Sequence, residues 1–296
     1  MKHIPGVTTR PSTDLPVLLP LNHARARARA PEAMMVSRWL AGLPAWTPLA
    51  LMALILLWPL TAQAAYTYGQ SIDALWRWMP FLLKSGFLFN VIISFLAMAV
   101  GTIAGAALGL AQISHVAAVR RTAWFVTQLF RNSPWLVLLF IVMLALPFEI
   151  VIGDTIIAIP DWTKAVFGLS LPIMANISEI VRGAVQSVPS AQWEASEALA
   201  FNRRQILWMI ILPQCIKRMI PPWMNWYAIL TMATPLCSLL AVEEIVTLSR
   251  QAIESENNHP ELLVPFYSFI MLVFFAYCYP IARLTVRLER KFAVKL

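Results

Sequence analysis

Six apolar windows, at roughly 45–65, 86–113, 122–147, 164–186, 219–241 and 262–284, alternate with short polar stretches along the chain. About 20 largely apolar residues suffice for a helix to cross a bilayer, so each window predicts a membrane span. The first 43 residues follow a different pattern, with Pro5, Pro11, Pro16, Pro20 and Pro31 around the run Arg25, Arg27, Arg29. Such a stretch cannot bury enough apolar surface to fold alone, and a disordered basic tail is expected over 1–43. The first window begins more than 40 residues in and is long enough to span, which predicts an uncleaved anchor rather than a signal peptide. Between the first two windows, Ser71 to Lys84 carries Trp76, Trp78 and Phe81 and reads as an amphipathic helix lying at the outer interface. Gly101, Gly105 and Gly109 recur every four residues in the second window and predict a face where another helix backbone comes close.

Composition agrees with this pattern. Of 296 residues, 59% are hydrophobic and 13% charged, and the mean hydropathy is +0.67. A soluble domain carries roughly a quarter charged residues. The net charge of +8 does not point to nucleic acid, because the basic residues mark the ends of the apolar windows. With the N-terminus in the cytoplasm, 19 of the 23 basic residues fall inside, and only Arg77, Lys84, Lys164 and Arg250 fall outside. The positive-inside bias therefore predicts that both termini are cytoplasmic. The outward segments are acidic, with Glu149, Asp154 and Asp161 after the third window and Glu243, Glu244, Glu254, Glu256 and Glu261 after the fifth. They read as solvated loops, on which an extracytoplasmic partner could also dock. Cys215, Cys237 and Cys278 lie in or beside apolar segments without metal-ligand spacing and read as buried small hydrophobes.

The stretch 187–213 departs from the apolar pattern. Ser190 after Pro189 is placed to cap a short helix through Leu199, the pattern breaks at Phe201, and Asn202 with Gln205 fits a capping box for a second helix. Two short helices with a bend result, Glu194 and Glu197 on the first and Arg203 and Arg204 on the second. A polar, bent segment of this kind between two spans is suited to docking a soluble partner.

These residues resemble the EAA loop of ABC-importer permeases, whose pattern is E-A-A, three residues, Gly, nine residues, then I-x-L-P. Glu194-Ala195-Ser196 fills the first part and Ile210, Leu212 and Pro213 the last, with Ser196 for the second alanine and Ala200 for the glycine. If the bend needs a positive φ, alanine there costs about 1 kcal/mol, and either a slightly different bend or a weaker dependence on glycine is expected. Over about 81–293 the chain is similar to the polar amino acid permeases of the histidine and glutamine type. Phe130-Arg131-Asn132-Ser133-Pro134 resembles that group's F-R-G-T-P, and Glu179-Ile180-Val181-Arg182-Gly183 resembles its E-I-x-R-G. Where the group often shows Lys-Asp-Thr-Ser-Leu, this chain has Met232-Ala233-Thr234-Pro235-Leu236.

The resemblance implies an all-α polytopic membrane protein: the five-helix core of an ABC type I importer permease over 81–293, plus an extra N-terminal helix within 44–80. It implies a bacterial inner-membrane location, two ATPase subunits, a second permease that is a homologue of this one, and an extracytoplasmic solute-binding protein, all among membrane lipid. No GxxxxGK[ST] phosphate loop occurs, so ATP and Mg are assigned to the partner ATPase, and this chain carries no cofactor and no catalytic residue. Glu194, Ala195, Ser196, Glu197, Ala200, Arg203 and Arg204 become candidates for ATPase coupling. For the solute path the candidates are polar groups inside the spans: Asn90, Ser94, Gln128, Asn132, Asn176, Glu179, Asn225, Thr231 and Thr234. Glu179 and Arg182, three apart, fit an ion pair.

Two other classes of function make different demands. A self-sufficient secondary transporter usually has ten or more spans with internal repeats, and no repeat is visible here. A membrane enzyme or sensor needs a cluster of catalytic groups, whereas His3, His23, His115 and His259 are scattered.

Overall fold

The computed structural model describes residues 67–152 and 155–292, with Pro44, Trp46, Thr47 and Ala50 besides. The chain divides into two compact units, Met1–Ala62 and Gln63–Leu296. The basic tail and nearly all of the first window lie outside the described residues. The second unit holds the helical bundle.

Its elements are α1 (Tyr68–Gln112), α2 (Ala117–Arg131), α3 (Trp135–Ala145), the strands β1 (Glu149–Ile152) and β2 (Thr155–Ala158), α4 (Asp161–Gln186), α5 (Ser190–Ala198), α6 (Arg203–Leu240), α7 (Ile245–Ser255) and α8 (Pro260–Phe292). The strands form an antiparallel hairpin in which Ile150 faces Ile157 and Val151 faces Ile156. By length and composition α1, α4 and α8 can each cross a membrane, and the count rises to five if the bent pairs α2–α3 and α6–α7 are each taken as one span. These five match the later five apolar windows.

One expectation needs correction. The segment Ser71–Lys84 is not a separate helix lying flat: α1 is one helix of 45 residues, continuous through Pro80. A π-helical stretch, Leu82–Phe87, follows the proline and lets the helix run on. The third window is broken at Pro134, as a proline within a span allows. Its two halves meet at 105° across Asn132–Pro134, because proline lacks an N–H and drives the residue before it out of the helical region. Thr127 on α2 lies beside Gln112, the last residue of α1, so the end of α2 crosses the bundle near the loop end instead of running along it.

The core sits between α1 and α4. Ile93, Ala97 and Met98 pack with Leu169, Ile173 and Ile177, joined by Leu139, Leu230 and Cys237. The glycine stripe faces α4 as its spacing predicts. A Cβ on Gly101 would lie 2.6 Å from Ile173 Cγ2, one on Gly105 2.6 Å from the Met174 carbonyl oxygen, and one on Gly109 2.7 Å from that of Ser178. Only a residue without a side chain allows the two backbones to come this close.

At the end opposite the 187–213 loop, α6 stops at Ala241, whose φ is 58°, and the chain turns by 50° into α7. Glu244 caps α7 and is fully buried. Its Oε1 accepts the N–H groups of Val246 at 3.0 Å and Thr247 at 2.9 Å, while Oε2 accepts from Asn90 Nδ2 at 2.9 Å. Asn90 also donates to Thr234 Oγ1 at 2.9 Å and accepts the Ile245 N–H at 3.1 Å. One asparagine thereby ties α1 to both sides of the break, and a buried polar cluster satisfied in this way resists rearrangement. Further along, Glu256 accepts from Arg77 Nη2 at 2.9 Å and Trp78 Nε1 at 3.0 Å, which joins the start of α1 to the end of α7.

Two substitutions probe these contacts by thermal unfolding in detergent. Gly105→Leu is expected to destabilise by about 3 kcal/mol or more, since neither the Met174 carbonyl nor Ile177 can withdraw. Asn90→Ala is expected to cost about 1–3 kcal/mol by leaving Glu244 and the Ile245 N–H without their partner. An unchanged melting temperature in either variant would contradict the packing described.

Candidate functional site

The loop between α4 and α6 has its own small core. Ala184, Val185, Val188, Ile206, Ile211 and Cys215 are buried together, with Trp193 and Phe201 packed on them. Arg218 Nη1 reaches back to the end of α4, donating to the Ser187 carbonyl at 3.0 Å and its hydroxyl at 2.7 Å. A cation suits the carbonyl end of a helix. The two ends of the loop are thus held together.

Helix α5 begins one residue earlier than the sequence reading has it: Pro189 is the cap and Ser190 the first helical residue. Its C-terminus is closed by a Schellman motif, with Phe201 N–H bonded to the Ser196 carbonyl at 3.3 Å and Ala200 N–H to that of Glu197 at 2.9 Å. Ala200 has a φ of 60°. Of the two alternatives, the change of bend does not occur: alanine adopts the left-handed conformation that glycine would take without strain. Asn202 then starts α6 with the predicted capping box, accepting Gln205 N–H at 3.0 Å while its own N–H donates to Gln205 Oε1 at 2.9 Å.

This geometry sorts the candidate coupling residues. Glu194, Ala195 and Glu197 are exposed on α5, and neither carboxylate has a hydrogen-bond or ion-pair partner among the described residues. Leu199, at the tip, is 73% exposed. Ser196 turns the other way, is buried, and donates to the Gln192 carbonyl at 2.6 Å. Arg203 lies over the Trp193 ring at 5.6 Å, and Arg204 is exposed beside Trp208 on the adjoining turn. The loop thus presents a short rigid helix with an unpaired acidic face, flanked by a basic turn.

The candidate solute-path residues fall into separate groups. Asn90 and Thr234 meet in the Glu244 cluster. Asn176 donates to the Pro172 carbonyl at 2.8 Å and Thr231 to that of Tyr227 at 2.9 Å, each within its own helix, and Ser94 donates to the Val91 carbonyl at 2.8 Å. Gln128 and Asn132 are joined at the α2–α3 elbow, Asn132 donating to the Gln128 carbonyl at 2.7 Å. Asn225 is exposed and makes no hydrogen bond among the described residues.

Glu179 is where the two motifs on α2 and α4 come together. Its Oε2 pairs with Arg182 Nη2 at 2.6 Å, as the spacing predicts, and with Arg131 Nη1 at 3.7 Å. Beside it Gln112 donates to Thr127 and Ser178 hydroxyls at 3.0 Å each. Glu179 Oε1 and Gln112 Oε1 are both buried without partners. Turning the Gln112 amide over would let its NH2 donate to Glu179 while its oxygen accepts from the Thr127 hydroxyl, which satisfies both, the Ser178 hydroxyl donating to the Ala175 carbonyl.

The sequence reading counts Glu179 among the polar groups within the spans and places Glu244 in a solvated loop, yet Glu244 is buried at the α6–α7 break. A cue was present in the sequence, since an acid directly before an apolar run is a helix cap.

Comparison with known proteins bears on the whole arrangement. Residues 101–294 match the family described as binding-protein-dependent transport system inner membrane component. The probable amino-acid ABC transporter permease YckA of Bacillus subtilis is 33% identical over 214 residues, covering 72% of this chain and 90% of that protein. The L-cystine transport system permease TcyB of the same organism is 28% identical over 71% of this chain and 86% of its own length. Among solved structures, an amino acid ABC transporter crystallised with histidines superposes with a TM-score of 0.62 at 20% identity, covering 73% of this chain and 96% of that one. The inward-facing MetNI methionine ABC transporter gives 0.56 at 16% identity, covering 73% of this chain and 98% of that one. The fold is therefore that of the ABC type I importer permeases, and the chain belongs to the binding-protein-dependent transport system inner membrane components, as a membrane permease subunit.

Proposed function

We propose that this permease imports amino acids or related small polar solutes, with ATP hydrolysed by two partner subunits and solute delivered by an extracytoplasmic binding protein. The names of the relatives support the solute class. A second permease, a homologue of this chain, completes the pathway. The observation that carries the coupling role is α5 itself: its acidic face is unpaired and exposed while its back is fastened to a local core, Arg218 closing the base of the loop. A rigid helix so held passes on a push as a rigid body, where a slack loop would absorb it. Glu194 is the proposed charged contact with the ATPase, Ala195 gives close approach, and Arg203 and Arg204 flank them. The small residues Ser196 and Ala200 serve by shaping the loop. Basic residues gather at this loop's end of the bundle, which supports a cytoplasmic position for it and for both termini.

Glu194→Lys is expected to leave membrane insertion intact and to lower ATP-driven uptake by about tenfold or more; uptake equal to the parent's would remove Glu194 from the interface. Ala200→Gly relieves the left-handed alanine and is expected to stabilise the loop by up to about 1 kcal/mol, read as slower proteolysis at 198–202 with uptake preserved. Faster cleavage would show that glycine's extra freedom in the unfolded loop outweighs the strain. A cysteine replacing Glu197 should resist impermeant reagents added outside intact cells and react in inverted vesicles; the reverse pattern would invert the topology.

A further inference from the structure

Helix α2, Ala117–Arg131, separates apolar from basic residues around its circumference. Ala118, Thr122, Phe125 and Leu129 follow i, i+4, i+7 and i+11, so they share one face, and all four are exposed, Phe125 to 60%. Arg121, Trp124 and Arg120 come next round the helix from the border of that face, and these too are exposed. On the far side Ala123 and Thr127 are buried in the bundle. No aspartate or glutamate occurs between Gln112 and Trp135. Arg120 Nη1 donates to the Ser114 carbonyl at 2.9 Å; beyond that, neither Arg120 nor Arg121 has a hydrogen-bond or ion-pair partner among the described residues.

The bundle fixes how this helix lies. Leu139 and Val142 of α3 rest against Gly168, and Phe148 just past α3 reaches Lys164, so α3 runs along α4 in the opposite direction. Helix α4 is long and apolar enough to cross a membrane, and α2 stands at 105° to α3, so α2 lies across the span direction, near the plane of the bilayer. Its depth follows from α4. Thr127 Oγ1 is 2.8 Å from Ser178 Oγ, and Arg131 pairs with Glu179. No charged residue stands on α4 between Lys164 and Glu179. From Asp161 to Glu179 the helix rises about 27 Å at about 1.5 Å per residue, close to a hydrocarbon thickness of about 30 Å. Helix α2 therefore lies where hydrocarbon gives way to headgroups. At that depth Phe125 and Leu129 gain by leaving water, and guanidinium groups pair with phosphate oxygens. Arginines with no carboxylate on their own helix complement an anionic surface better than a zwitterionic one.

We propose that α2 is a binding site for anionic phospholipid. Thr122, Phe125 and Leu129 sit among the acyl chains, Arg120 and Arg121 hold the headgroup phosphates, and Trp124 lies at the interface. The site is separate from the solute path and from α5, and it holds whatever solute is carried. Because Arg131 at the end of α2 is paired with Glu179, lipid bound here steadies the α2–α3 elbow.

The test uses the full chain in mixed bilayers of phosphatidylglycerol and phosphatidylcholine. Cys215, Cys237 and Cys278 are buried, so Thr122→Cys supplies an accessible thiol on the exposed face. A bimane on that thiol is expected to be quenched by lipids brominated in their acyl chains and spared by iodide in the water. With the mixture held constant and bromine placed on one lipid at a time, phosphatidylglycerol should be preferred about fivefold. Arg121→Gln should reduce the preference about twofold, and Arg120→Gln with Arg121→Gln should abolish it while quenching by brominated chains persists. If the double variant loses the chain contact as well, Arg121→Gln decides, since its side chain has no partner in the protein to lose. Equal quenching by the two lipids in the parent, or a preference unchanged in the variants, overturns the anionic site. Quenching by iodide and not by bromine overturns the placement in the membrane. The labelled chain is then assembled with its partner subunits, where persistent bromine quenching supports the site and its loss gives this face to a protein and overturns the proposal.

Discussion

The bundle depends on how closely α1 and α4 approach each other. Lipid provides little hydrophobic drive for one helix to join another, so association rests on contact area and on hydrogen bonds made within the protein. Gly101, Gly105 and Gly109 bring the backbones into contact over more than two turns, with carbonyl groups of α4 where side chains would otherwise stand. The rest is arranged around this seam. Above it, Asn90 reaches Glu244 and Thr234; below it, Gln112 reaches Ser178 and, through Thr127, the end of α2. If the seam opened, both polar clusters would lose their geometry.

The seam and the 187–213 loop are joined through α4. Its last turn supplies Ala184 and Val185 to the loop's core, and its terminal carbonyl at Ser187 is held by Arg218 of α6. The loop carrying α5 is therefore fastened to α4 and α6 together. Glu179 lies two turns above that junction and binds Arg131 at the α2–α3 elbow, so the broken helix is attached to the same rod. The break between α6 and α7 occupies the other end of α6. Each end of α6 thus adjoins an alanine in the left-handed conformation, Ala200 just before its start and Ala241 just after its end. Bends of defined geometry at both ends favour movement of the helix as one piece.

Much of this could be read before any coordinates. Apolar windows locate the spans because a bilayer requires length and composition, both visible in a linear chain. The capping box at Asn202 and the glycine spacing are equally legible, since each is a local rule. What periodicity does not disclose is direction. The window 122–147 is apolar apart from Gln128 and the stretch Arg131–Pro134, and of these Pro134 marks where its halves part, without giving the angle. Ser71–Lys84 has the composition of an interfacial helix, yet it continues into the span because Pro80 is absorbed by a π-turn. The polar residues of the spans were legible as a set and not as partners: Asn90 and Glu244 are 154 positions apart, and their pairing is a product of the tertiary fold. Ala200 taught a narrower lesson, because the loop retains the glycine's conformation without the glycine.

The unbroken length of α1 carries a last consequence. At about 1.5 Å per residue its 45 residues measure about 68 Å, more than twice the hydrocarbon thickness of a bilayer. Its first turns must therefore stand clear of the lipid like a mast, stayed by Glu256 through Arg77 and Trp78. Part of this helix therefore lies outside the hydrocarbon layer whatever the tilt of the bundle within it.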